Sequence, residues 1–220
     1  MTNTHSVQLL KELYIYKNIG FDYLPQINTN TQPIAEDNSW EELQNKTTSC
    51  HLCNLSKSRK NVVFGEGNQN ADLMFVGEAP GMMEDEEARP FVGRSGQLLD
   101  KIIQNVLGLK REDVYIANIL KCRPPNNATP NQSEVDCCKD YILTQIKLVN
   151  PKVIVALGAT SFKHLTNNYD INISRIRGEV LTLGSAKLIP TYHPSYLLRN
   201  PSEKKVVFNY MLKVKSILGL

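Results

Sequence analysis

Four short runs rich in Val and Ile, at 72–77, 114–120, 152–157 and 187–192, are separated from one another by stretches of helical periodicity. Strands joined through helices line up in parallel and are buried on both faces, because each crossover must run back over the sheet. The pattern therefore predicts an α/β chain around a mostly parallel four-stranded sheet. Between the runs, Gln97–Leu107 places Leu98, Leu99, Ile102, Ile103, Val106 and Leu107 on one helical face and stops at Gly108. The segment 134–149 repeats this behind an Asn131-x-x-Glu134 cap. In sheets of this kind, reactive residues sit in loops beyond the carboxyl ends of the strands. The segments 77–94, 118–131, 158–160 and 193–200 are where chemistry is expected.

Ahead of this body, residues 1–48 read as a helical extension of no assigned role, leaving 49–220 as the functional domain. Ser6 to Ile19 is amphipathic through Val7, Leu10, Leu13, Tyr14 and Ile19, and Ser39 with Glu42 forms a capping box for a helix running toward Cys50. At 220 residues the chain can bury roughly 70% of its unfolded surface, so it needs no metal or disulfide merely to fold. Residues 1–49 hold three Lys and six Asp or Glu, and 50–220 hold 22 basic against 16 acidic residues. The body's surplus of positive charge suits a polyanionic partner without requiring one. No run of 18 apolar residues occurs and the start lacks a basic, cleavable leader, so the chain is expected to be cytoplasmic, with no membrane association.

Five cysteines in a reducing compartment are not expected to form disulfides. Cys50-x-x-Cys53 is followed after 68 residues by Cys122, and 15 more separate that from Cys138. A C-x-x-C turn is a bidentate claw for a soft metal, and folding can bring the other two thiolates to it. On spacing alone, zinc and an iron–sulfur cluster both fit. Cys137 is the spare, and His51 is read as a turn residue.

The loops carry the remaining chemistry. Gly77-Glu78-Ala79-Pro80-Gly81 lets backbone amides approach a ligand closely. Glu84 and Asp85 follow, as candidates to orient water or as part of a solvated acidic run. Phe91, without apolar periodicity around it, is a core plug or a stacking platform. Asn118 interrupts an apolar strand, and its amide matches the edge of a nucleobase or a neighbouring loop. His193 stands between a strand end and a helix start. Ser195 and Arg199, with Lys204 and Lys205, suit a phosphate; Leu197 and Leu198 are core, or a wedge for a base stack.

Taken in order, GEAPG, ED, RPFVG, NILKCRPP, the C-x15-C spacing and HPSYLLR, behind an upstream C-x-x-C, resemble the family 4 uracil-DNA glycosylases, over about residues 49–217. The resemblance implies the three-layer α/β/α uracil-DNA glycosylase fold and a structural [4Fe-4S] cluster on Cys50, Cys53, Cys122 and Cys138, with no organic cofactor. It implies an enzyme that flips uracil out of single- or double-stranded DNA and hydrolyses its N-glycosidic bond, leaving an abasic site. Gly77, Glu78 and Ala79 would line the uracil site, Phe91 would stack on the base, Asn118 would bond its polar edge, His193 would donate to O2, and Glu84 would orient water. Ser195, Leu197, Leu198 and Arg199 would face the DNA. A monomer associated with the nucleoid is expected.

The chain departs from the family's usual pattern at Ala88, where Gly is common, and at Ala128, where Arg is common. The competing expectation is a weak or inactive DNA-scanning module of the same fold that keeps the metal cluster.

Overall fold

The computed structural model describes residues 39–220, so the expected helix at 6–19 lies outside the described residues. The first helix, α1 (Trp40–Thr48), starts where Ser39 Oγ accepts the Glu42 N–H at 3.2 Å. Its Trp40 ring packs at 6.0 Å from Phe64 and 5.3 Å from Tyr115, centroid to centroid, and the compact unit holding the sheet runs Asn38–Leu220. The short α2 (Leu55–Ser58) follows.

Four parallel strands form the centre: β2 (Leu73–Gly77), β3 (Tyr115–Asn118), β4 (Val153–Leu157) and β6 (Ala186–Thr191). Two short antiparallel strands close the edges, β1 (Glu66–Gly67) on β3 and β5 (Leu181–Leu183) on β6, giving six strands in the order β1-β3-β2-β4-β6-β5. The four-stranded expectation thus holds for the parallel core and misses the edges. Strands of two and three residues are too short to show alternation.

Side chains alternate between two cores, which is why the runs are apolar throughout. Met74, Val76, Ile154, Ala156 and Leu188 face α5 (Gln132–Val149) and α6 (Ala159–Thr166). Leu73, Phe75, Ile116, Val155 and Ile189 face α4 (Arg94–Ile102), α8 (Pro194–Arg199) and α9 (Lys204–Leu218) on the other side. Two short helices, α3 (Met82–Glu87) and α7 (Ile173–Ile176), sit in the connections. The Asn131 cap is reciprocal, its Oδ1 accepting from the Glu134 N–H at 2.9 Å and its N–H donating to Glu134 Oε2 at 3.0 Å. The expected 97–107 helix starts earlier, at Arg94, and its last turn, Ile103–Leu107, widens into a π-turn before Gly108.

From β2 the chain moves outward to β3, and from β4 it moves the opposite way to β6. The strand order therefore reverses between β2 and β4, and a crevice opens at their carboxyl ends.

Candidate active site

A cavity of about 440 Å³ occupies that crevice, within the size range of small-ligand sites. Glu78, Ala79, Glu84, Phe91, Asn118, His193 and Ser195 all line it, so the segments at the carboxyl ends of β2, β3 and β6 converge as the strand topology requires. The end of β4 adds Leu157 to Thr160, and the loop after β3 adds Pro124, Asn127 and Ala128. Of these, Ala128 stood out in the sequence only as a departure from the family pattern, and Leu157, Pro124 and Asn127 were not singled out. Gly158, at φ 95° where a strand meets a helix, is the one signal that could have drawn attention there.

Asn118 ends β3 and is 2% exposed, and its Oδ1 is buried without a hydrogen-bond partner among the described residues. Buried acceptors are nearly always satisfied, so the atom points to a ligand donor. Gly77 makes room for it: a Cβ there would stand 2.3 Å from Asn118 Oδ1 and 2.6 Å from the Phe91 ring.

Phe91 is 5% exposed and holds φ at 52°, an uncommon left-handed conformation for an aromatic residue. Its neighbours account for it. Arg111, paired with Glu66 at 2.5 Å and Asp100 at 2.6 Å, donates to the Pro90 carbonyl at 2.5 Å. Glu84 Oε1 accepts the N–H groups of Val92 and Gly93 at 3.1 and 3.0 Å, and Oε2 accepts from Gly81 at 3.1 Å. Three of the carboxylate's roughly four acceptor positions are spent on the loop, leaving one for a water. Asp85 is buried instead against Lys60 and Asn61, whose main-chain N–H groups it accepts at 3.0 and 3.1 Å. It serves as a clasp.

His193 caps α8, with its ring 5.6 Å from Phe91 and inclined by 33°. Its Nδ1 accepts the Ser195 N–H at 3.1 Å and lies 2.8 Å from Ser195 Oγ. An acceptor at Nδ1 leaves the proton on Nε2. Burial, reinforced by the Arg199 charge and opposed by Glu84, pushes the imidazole down to about 4. The ring is neutral at physiological pH and donates through Nε2.

The expected DNA-facing residues divide. Arg199 is exposed and Leu198 half-buried, but Leu197 is 1% exposed within the core under α9. As a wedge Leu197 is ruled out, because extracting it would open the core. Ser195 turns its amide and hydroxyl to His193.

None of the five cysteines is in a disulfide. Cys138 is pushed up to about 12, mainly by burial, with the charges of Cys122 and Cys50 acting in the same direction. Burial likewise raises Cys122, where Arg59 opposes the shift and Cys53 and Cys50 add to it. Arg59 Nη1 donates to Cys122 Sγ at 3.1 Å, and the Lys121 N–H donates to Cys138 Sγ at 3.3 Å. Among the described residues no group of three or more His, Cys, Asp or Glu is arranged to hold a single metal ion. Cys137 lies half-exposed, outside this set.

Residues 64–213 match the model of the uracil DNA glycosylase superfamily. The chain is 46% identical to the type-4 uracil-DNA glycosylase of Thermotoga maritima, over 81% of this chain and 94% of that one. It is 42% identical to the type-4 enzyme of Saccharolobus solfataricus, covering 80% and 85% of the two chains. With that of Archaeoglobus fulgidus the identity is 39%, over 82% and 94%.

Proposed function

The chain belongs to the uracil-DNA glycosylase superfamily, among the type-4 enzymes, and from that premise we propose that its cavity receives a uracil flipped out of DNA and releases it as the free base. The observation that carries this reading is the convergence, at one strand-order reversal, of the unpartnered Asn118 Oδ1, the Phe91 ring and a neutral His193.

Extruding a base costs a few kcal/mol, least at a mispair. The flipped uracil stacks on Phe91, and Asn118 bonds its polar edge. Uracil offers N3–H and O4 where cytosine offers a bare nitrogen and an amino group, so a fixed amide matches only one of the two. As the bond between C1′ and N1 breaks, its electron pair moves onto the uracil ring and positive character onto the sugar. His193 donates from Nε2 to O2 and stabilises that charge without giving up its proton. Glu84 holds a water on its remaining acceptor position. The water's oxygen bonds to C1′, its proton leaves through the carboxylate, and the uracil anion takes a proton from solvent.

The four thiols suit a [4Fe-4S] cluster. An anionic group of four thiolates explains the guanidinium of Arg59 on Cys122, which a set of neutral thiols does not require. Cys50, Cys53, Cys122 and Cys138 would hold it, and its contribution would be structural, tying the segment ahead of the sheet to the loop after β3 and to α5.

The test is hot-alkali cleavage of labelled oligonucleotides carrying uracil, hypoxanthine, thymine or cytosine opposite guanine. Cleavage at uracil is expected without added cofactor. Binding without cleavage would leave the chain a scanning module.

A further inference from the structure

Lys121 follows the end of β3 and turns its side chain back into the protein, where it is 1% exposed. Its Nζ donates to the main-chain carbonyl of Asn118 at 2.9 Å and to Gln145 Oε1, on α5, at 2.5 Å. Neither acceptor is a carboxylate. Burying a lysine amine between two neutral oxygens is a costly way to fill a space that Met would fill, so the position calls for a reason other than packing.

Gln145 is itself immobilised. It is buried, and its Nε2 donates to the Phe64 carbonyl at 2.9 Å and to the Tyr115 hydroxyl at 3.1 Å, which leaves Oε1 one direction to point. The backbone on the other side of Asn118 is also held, with the Ile119 and Leu120 N–H groups on the carbonyls of Gly77 and Glu78 at 2.9 and 3.0 Å. The Asn118 carbonyl and the two N–H groups that follow it are thus held, while its side-chain oxygen is left unpaired toward the cavity.

We propose that Lys121 and Gln145 form a buried strut that sets the orientation of the Asn118 amide, making both of them positioning residues for uracil recognition. The inference rests on the reading of the cavity as a uracil site. Neither side chain lines the cavity; each acts through Asn118. An amide rotated by half a turn exchanges donor for acceptor and suits cytosine, so the strut bears on discrimination as well as on rate. Because the Lys121 N–H also meets Cys138 Sγ, iron content must be followed separately from activity.

Lys121→Met keeps the volume and removes the donor; Lys121→Gln keeps an N–H within reach of the Asn118 carbonyl; Gln145→Leu removes the second anchor at a distance from the cysteines. Each full-length variant is compared with wild type for kcat and KM on uracil and cytosine oligonucleotides, inhibition by free uracil, iron content and thermal midpoint. Lys121→Met is expected to lower kcat/KM on uracil and weaken free-uracil inhibition by about tenfold, with iron retained. Lys121→Gln should recover part of that loss, and Gln145→Leu should fall between. If Lys121→Met and Gln145→Leu bind uracil and excise it as wild type does, the strut is refuted. It is equally refuted if losses track iron or melting and Lys121→Gln recovers nothing. Should Lys121→Met not fold, Gln145→Leu decides alone. A wild-type protein that binds uracil but releases none would overturn the proposed activity instead, and the binding comparison would still decide the strut.

Discussion

His193 shows how local bonding selects one protonation state. The Ser195 N–H occupies Nδ1, and burial with the Arg199 charge holds the imidazole at about 4. A neutral donor keeps working in acid, so kcat is expected to stay level from pH 8 to about 5 and to fall near pH 4; a pH–rate profile breaking near 6.5 would contradict the assignment. The same shift affects stability. Its folded value lies below the ordinary 6.5, so the unfolded chain binds the proton more readily. This contribution is complete above about 6.5 and is lost as the pH falls toward 4. His193→Ala should cost on the order of 100-fold in excision rate, by analogy with oxyanion donors. Gly77→Ala offers an independent check. Its Cβ collides with both Asn118 and Phe91, and a displacement near 1 Å costs ~100-fold, so single-turnover excision should fall by that order.

Among the elements, α5 links the two sites, with Cys138 facing the thiols and Gln145 the Asn118 strut. Its N-terminus depends on the reciprocal Asn131–Glu134 cap. Asn131→Ala should lower stability by about 1 kcal/mol in urea titrations and leave kcat intact, since no cap atom reaches the cavity. The carboxylates of α3 illustrate a second lesson. Glu84 and Asp85 are adjacent in sequence and alike in chemistry, yet a helix turns successive side chains apart by about 100°, sending one to the cavity loop and the other to Lys60 and Asn61.

For the whole molecule, charge and metal set the expectations. Arg199 is exposed, and its charge bears on His193. Arg199→Ala is expected to reduce the salt dependence of DNA binding by about one unit of slope in a log–log plot of affinity against salt. The proposed cluster would join segments far apart in the chain, so iron removal by a chelator is expected to lower the thermal midpoint, as metal-binding energy becomes folding energy. A midpoint unchanged after complete iron loss would argue against a clamp.

Periodicity determined the parallel core, because the rhythm of Val and Ile runs is written residue by residue and both faces of such a sheet must be apolar. Motif order, likewise linear, singled out Phe91, Asn118 and His193, which the fold brings to one cavity. What the chain could not display by itself were relations between distant segments. The edge strands exist only through pairing, Leu197 is core because α9 covers it, and the role of Lys121 depends on Gln145, 24 residues further along. Whether Asn118 Oδ1 is satisfied was likewise decided in three dimensions. Burial and hydrogen bonding are properties of neighbours in space, and sequence distance carries little information about them once a sheet brings remote strands side by side.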